Sequence, residues 1–426
     1  MEIQVQRLRS ILRLLEHGVA KKTTLPITQS VLFRPGEAVT TDLSNFITVR
    51  ALEADQRMSV GFAALQGAVR NLNGLATVRI TMEDGLMVIR EGATTYRITA
   101  TRPDEFPPSP DFTPMVQASM DGDALVVNLA AVRPYAATED SRPVLHGVCM
   151  DFSDHVQAAG ADGFRLAVAQ LPRTVPVPEG AAGAIIIPVE AVDTFRRLWA
   201  ASPKPPSPSG PGLANLAVAR RLVAFAHDGG RLRLQWGDVT LLCALIQGSF
   251  PNFRQLIPTD HASSVMVDAG EFRAALNRVA QIAGDGAGLV RLRWDNGALT
   301  LSARAEEVGE AETSVSATVT GQPGRIAFSW RYLAEYVADL TGAFELKTST
   351  PSSPGLFLHP RRPIIVIMPM FVQWDGGQPA EVPEADAAGA DGAAERPESP
   401  EPPASDLPST AKAEKPQGRK RKRVVA

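Results

Sequence analysis

Few residues in this 426-residue chain have the chemistry for catalysis, and they are scattered. His146 and Cys149 form an H-x-x-C, but no second pair of ligand residues accompanies them. A zinc site needs three or four convergent ligands, so a strand residue beside a buried thiol is the better reading. Glu139, Asp140 and Asp162 have the acidity for proton transfer. Asp162 precedes a glycine, where aspartate more often bonds its own backbone in a turn. The sequence has no phosphate-cradling G-x-x-x-x-G-K-[ST] and no dinucleotide-type G-x-G-x-x-G behind a strand. H-E-x-x-H and G-x-S-x-G are also missing. No catalytic residue, metal ligand or cofactor is assigned, and nothing argues for an enzyme.

Positive charge on helical stretches is the pattern that recurs. Arg9, Arg13, Lys21 and Lys22 lie on or just after the first, and Arg70 on the second. Arg133 and Arg142 go with the third, Arg196 and Arg197 with the fourth, Arg273 and Arg278 with the fifth, and Arg331 with the sixth. Glu16, Glu190, Glu271 and Glu335 interrupt the pattern, so each cation taken alone also reads as part of a solvated helix face. If the faces converge, they meet phosphates without reading bases. The net charge is −3, so such a role rests on local patches.

The elements that would carry these residues repeat three times. IQVQRLRSILRLLEHGVA reads as a short strand and then a helix, with Val5, Leu8, Leu12, Leu15 and Val19 on one face. LVVNLAAVRPYAATEDSRP reads as a strand and then a shorter helix. VMVDAGEFRAALNRVAQIAG repeats the theme, with Phe272, Leu276, Val279 and Ile282 or Ala283 apolar. Strands follow each, joined at Pro35-Gly36, Ser153-Asp154 and Asn296-Gly297. Second helices are predicted in VGFAALQGAVRNLNG, IPVEAVDTFRRLWAA and FSWRYLAEYVADLTG. The copies are spaced by roughly 110 to 150 residues, each with two helices and many antiparallel strands. The reading is an α+β chain of three domains at 1–115, 116–258 and 259–375, with a Pro-rich loop at 202–212. Residues 376–426 hold almost no large apolar side chain and cannot offset the entropy of ordering, so a disordered tail is expected there. It is acidic from Glu381 to Asp406 and ends in a basic cluster, Arg419 to Arg423.

Two cysteines, each in an apolar run, make no disulfide framework and fit a reducing cytosol. No apolar run approaches a membrane span, and MEIQVQRLRS carries no signal-peptide core. The segment RRPIIVIMPMFV, at 361–372, is the most apolar stretch before the tail. It reads either as a plain core strand or as half of a binding site.

Four separated motifs resolve that choice. ATEDSRPVLHGVCMDF followed by GADGFRLAVAQLP resembles the middle domain of the bacterial β sliding clamp, the processivity subunit of the replicative DNA polymerase. LIQGSFPNFRQLIP resembles that family's linker between its second and third domains. VIMPMFV resembles its C-terminal M-P-M segment, and TLPI at 24–27 matches a first-domain motif. The likeness covers about residues 1–372 in order. It implies a ring of two chains joined head to tail, with helices lining the hole and antiparallel sheets forming the wall. Lys22, Arg70, Arg133, Arg142, Arg196, Arg197, Arg273 and Arg278 would then face double-stranded DNA.

By the same resemblance, a peptide groove comprises Leu145, Ala161, Gly163, Phe164, Arg165, Leu166, Pro251, Gln255, Leu256, Val366, Met368, Pro369 and Met370, with Phe371 and Val372. Motifs of the replicative polymerase, clamp loader and repair proteins would dock there. Ile364, Ile365 and Ile367 are expected to serve partly as ordinary core, since alternate strand residues point to opposite faces. Tyr96 and Ile98 resemble one side of the homodimer interface, and Val279 and Ile282 the other. No cofactor, metal or membrane contact is implied, and the location expected is the bacterial cytoplasm at the replication fork.

The chain departs from the family in several places. It continues about fifty residues past a segment where the family commonly ends. Phe371 replaces the usual Arg, and Phe164 stands where His or Tyr is frequent. Gly61-Phe62-Ala63-Ala64 and Val189-Glu190 lack basic residues seen in relatives, so DNA contact through those helices would be weaker. A clamp paralogue acting as a repair-specific or regulatory adaptor is the alternative, and an enzyme on a similar scaffold is a third reading. For the tail the readings are a solubilising segment or a basic cluster touching DNA outside the ring.

Overall fold

The amphipathic segments fold as three helix pairs: α1 (Val5–Leu15) with α2 (Phe62–Arg70), α3 (Gly122–Val132) with α4 (Val189–Ala201), and α5 (Ala269–Asp285) with α6 (Trp330–Val337). The computed structural model describes residues 1–52, 56–139, 142–172, 183–203 and 221–374, all within one compact unit. Asp140, the Pro-rich loop beyond Pro203, and the tail with its basic cluster lie outside the described residues. No described helix is long and apolar enough to cross a membrane.

Local sequence sets the helix starts. The Asp268 carboxylate accepts from the amides of Gly270 (2.8 Å) and Glu271 (3.1 Å), which opens α5. The Asp121 carboxylate accepts from Ala124 N (3.0 Å) and opens α3. That corrects one expectation, because the stretch from Leu125 is helix and the strand lies upstream at Val116–Asp121. The β-branched run at 126–127 suggested a strand. The cap and the buried Leu125, Leu129 and Val132, at helical spacing, override it.

Two arginines close their repeats. Arg273 Nη1, on α5, donates to the carbonyls of Val337 (2.8 Å), Ala338 (3.1 Å) and Leu340 (3.2 Å) at the end of α6. Arg9, at the same position along α1, donates to the carbonyls of Val69, Arg70 and Leu72 at the end of α2. Each guanidinium meets the negative end of the neighbouring helix, where four carbonyls lack intrahelical partners.

All strand pairings among the described residues are antiparallel, in sheets of twelve, nine and four strands. The two larger sheets cross from one repeat to the next. Strand Asn45–Leu52 of the first repeat pairs with Val239–Ala244, the last strand of the second. Strand Arg165–Gln170 of the second pairs with Ile364–Ile367, the last strand of the third. The two junctions share their local chemistry. Asp42 Oδ1 accepts from Asn45 N (2.6 Å), and Asp162 Oδ1 accepts from Arg165 N (2.9 Å). The residue after each aspartate is left-handed: Leu43 at φ 78° and Gly163 at φ 94°. At the end of each partner strand, Ala244 N donates to Ser44 O (3.2 Å) and Met368 N to Phe164 O (2.8 Å).

In the third repeat, strand Gly309–Ser316 pairs only with Ala298–Ala305, so its other edge is open. In the first repeat, the last strand, Thr94–Thr101, pairs along its length with Leu86–Glu91. On its other side it pairs only at Ala100 and Thr101, leaving Thr94 to Thr99 as a second open edge. The main core runs through all three repeats, and two smaller apolar clusters sit at the junctions.

Because Arg273 answers three carbonyls, Arg273→Ala should lower unfolding free energy by about 1–3 kcal/mol. Arg278→Ala, at an exposed position on the same helix, should change it by less than about 0.5 kcal/mol. Denaturant titration of both variants checks the difference.

Candidate peptide groove and nucleic-acid surface

One of the smaller clusters gathers much of the expected groove. Leu145, Ala161, Leu166 and Val366 are buried together with Cys149, Phe253 and Leu356. Alternation along Ile364–Ile367 explains why. Ile365 and Ile367 point into the main core, whereas Val366 and Ile364 point into the cluster. Ile364 therefore belongs to the groove side, a correction to its expected place in the core. Around the cluster, Phe164, Leu256, Met368 and Phe371 are exposed apolar side chains. Pro251 and Gln255 are exposed beside Leu256, while Pro369, Met370 and Val372 are half-buried. Burial pushes the Cys149 thiol up to about 12, so it is an inert part of the floor at neutral pH. Its H-x-x-C neighbour His146 lies 3.6 Å from Glu190.

The lip is held from beneath. The Asp162 carboxylate accepts from Phe164 N and Arg165 N (both 2.9 Å), the turn its position before Gly163 suggested. Gly163 sits at positive φ, and a Cβ there would lie 2.8 Å from Arg142 Nη1. Arg165 departs from its expected place on the groove wall. Its side chain is 11% exposed and bonds Asp162 (2.9 Å), Glu335 on α6 and the carbonyl of Pro134. It also stacks on Tyr135 and Tyr332. Burial lowers its pKa, but the hydrogen bonds to Glu335 and Asp162 outweigh that and raise it. Arg165 thus ties the second repeat to the third behind the groove and positions the lip. On the other side, Arg254 bonds the buried Asp151 carboxylate at 2.6 Å and anchors the linker that carries Phe253 and Leu256. Phe253, Arg254 and Leu356 were not singled out in the sequence, although the first two stand inside the linker motif LIQGSFPNFRQLIP.

The eight expected DNA-facing cations divide into groups. Lys22, Arg70, Arg197 and Arg278 are exposed and make no ion pair or side-chain hydrogen bond with a described residue. Arg13 shares that state and flanks a trough of about 570 Å³ between α1 and α2, lined also by Arg9 and Arg70. Ala63 and Gly67, small residues on α2, leave that trough open. Arg133 and Arg273 are committed elsewhere, Arg133 to Asp193 (2.7 Å) and Arg273 to the end of α6. Arg196 lies 4.0 Å from the same Asp193. Neither Arg133 nor Arg142 lies on α3, which ends at Val132, and Arg142 sits beside Gly163 instead. Of the expected interface residues, Tyr96, Ile98 and Ile282 are half-buried. Val279 is fully buried inside its own repeat, so it belongs to the core and presents nothing to a partner.

This architecture defines a three-repeat clamp fold. It matches the DNA polymerase sliding clamp of Pseudomonas aeruginosa at TM-score 0.76 and 21% identity, over 87% of this chain and 99% of that one. A sliding clamp from Bartonella birtlesii, solved with griselimycin, matches at TM-score 0.74 and 23% identity, over 87% and 99%. Residues 120–252 match the central domain, and 254–370 the C-terminal domain, of the DNA polymerase III beta subunit. The beta sliding clamp of Caulobacter vibrioides is 26% identical over 87% of this chain and 100% of its own length. That of Synechococcus elongatus is 28% identical over 72% and 79%. The chain belongs to the bacterial beta sliding clamp family, the DNA polymerase III beta subunits. It is accordingly a non-catalytic accessory subunit of DNA polymerase that acts as a DNA sliding clamp.

Assigning duplex contacts to the unpartnered cations predicts a specific ranking. Arg197→Ala with Arg278→Ala should weaken binding to linear duplex and flatten the slope of log K against log salt by about 0.9 for each phosphate no longer neutralised. Arg133→Ala should leave the slope unchanged. Anisotropy titrations across a salt series check this, and the reverse ranking would reject the assignment.

Proposed function

We propose that two copies of this chain close head to tail into a ring of six repeats around duplex DNA. The observation that carries this reading is the order of strand pairing across repeats. The strand of one repeat joins the last strand of the next at 45–52 with 239–244, and again at 165–170 with 364–367. The corresponding strand of the third repeat, Gly309–Ser316, has no following repeat in its own chain. The last strand of the first repeat, Thr94–Thr101, has no preceding one. A second copy can satisfy both open edges at once. A heterologous contact repeated once then closes into a ring and leaves neither of these two edges open to uncontrolled pairing. The edges are complementary, with exposed Arg97 on one and exposed Glu310 and Glu312 on the other. Tyr96, Ile98 and Ile282 supply the half-buried apolar contact. The three repeats correspond to domains at 1–115, 116–258 and 259–375.

Within this reading, Lys22, Arg70, Arg197 and Arg278 face the duplex and hold it without base contacts. The junction groove docks short peptide segments of the replicative polymerase, the clamp loader and repair proteins. Its apolar floor takes aliphatic or aromatic anchors, and Met368 and Met370 can repack for different ligands. The setting is the bacterial replication fork. No observation favours the adaptor alternative.

Two measurements test these proposals. Ile282→Asp places a charge in the contact and should yield monomers by light scattering; a stable dimer would reject the patch. Truncation after Ile367 removes Met368, Pro369 and Met370 and should abolish binding of polymerase-derived peptides while the dimer persists. Truncation after Gly376 should keep peptide binding, and equal binding by both forms would reject the groove.

A further inference from the structure

A second cavity lies at the opposite end of a repeat junction. The groove sits where strand Arg165–Gln170 begins and Ile364–Ile367 finishes. At the first junction the recess is at the other end, where Asn45–Leu52 finishes and Val239–Ala244 begins. It encloses about 630 Å³ between α1, the end of α4 and that strand pair. Its apolar lining includes the buried Ile11, Leu14, Val49 and Val239, and exposed Leu222 stands at the mouth. The walls are fixed in advance. Trp236 Nε1 donates to Ser202 Oγ (2.8 Å), and Arg221 stacks on Trp199 at 4.0 Å while bonding Asp123. Arg7, Arg13 and Arg50 also line it, against Asp238 as the one acid among the described lining residues. Arg13 and Arg50 are exposed and make no side-chain hydrogen bond or ion pair with a described residue.

We propose that this recess is a second docking site, taking a partner peptide in which carboxylates flank one or two aliphatic anchors. Charge complementarity supplies the first half of the match, since the lining guanidiniums outnumber the acid and two of them make no side-chain hydrogen bond or ion pair with a described residue. The recessed aliphatic floor supplies the second. A nucleic-acid backbone would satisfy the guanidiniums but leave the floor uncovered. The Trp236 ring, buried and hydrogen-bonded, offers no open face on which a base could stack. Because the recess and the groove lie at different repeat junctions and share no lining residue, both sites can be filled at once.

The test pans a phage-displayed library of random peptides on the full chain and on Arg13→Glu/Arg50→Glu, then measures the enriched peptides by fluorescence anisotropy. Acidic-aliphatic sequences should bind the native chain and lose at least about tenfold on the double variant, which is 1.4 kcal/mol or more. Their binding should survive truncation after Ile367, Arg13→Lys/Arg50→Lys should retain most of it, and thermal melts of the variants should match the native chain. If no enriched peptide distinguishes the native chain from the double variant, the proposal fails. It also fails if a short oligo-dT displaces the peptides and itself depends on Arg13 and Arg50, which would make the recess a nucleic-acid site.

Discussion

Backbone pairing between repeats is the constraint on which the rest depends. At each junction a strand needs a neighbour it cannot find in its own repeat. At 45–52 and 165–170 the next repeat supplies it. A strand left unpaired exposes a row of amides and carbonyls that must meet water or another chain. The same succession leaves Gly309–Ser316 and Thr94 to Thr99 open, which is why the proposed ring follows from the internal repeat and not from any single contact. The groove residues are a product of the same pairing. Val366 faces the junction cluster because Ile364–Ile367 lies beside Arg165–Gln170, and the turn at Asp162 opens that strand.

Charge is divided by geometry more than by sequence position. Arg9 and Arg273 occupy corresponding places in α1 and α5, and both answer the carbonyl end of the paired helix. Arg133 answers Asp193, and Arg165 is enclosed by Asp162, Glu335 and two tyrosine rings. Arg9, Arg133 and Arg273 each brace their own repeat, and Arg165 ties the second repeat to the third. The cations left over, such as Arg197 and Arg278, project from helices whose other faces are buried. That arrangement suits a sliding contact, because phosphate interactions that fix no base leave the protein free to translate along the duplex.

Much of this was legible in the sequence. Helical spacing located α1, α5 and the three second helices, since burial of one face leaves a 3.6-residue trace. The motifs around Asp162, Phe253 and Met368 placed the groove segments in order. What the sequence could not show depends on contacts between distant segments. The partners of Arg165 and Arg273 include residues far along the chain, so nothing local separated them from solvated cations. Val279 matched both a core and an interface position, and burial decided for the core. Ile364 went to the groove side because strand register, not composition, sets which face a residue occupies. At the start of α3 two valines suggest a strand, whereas the cap at Asp121 governs.

In the proposed ring, closure more than the strength of its contacts holds the protein on DNA. The most direct measurement is retention on two DNA forms after low-salt loading: nicked circular plasmid and the same plasmid linearised. Both complexes are passed through gel filtration in salt high enough to screen phosphate contacts. Topological closure predicts that the protein stays with the nicked circle and runs off the linear form. Equal loss from both DNAs would show that contacts alone hold it and would contradict the ring.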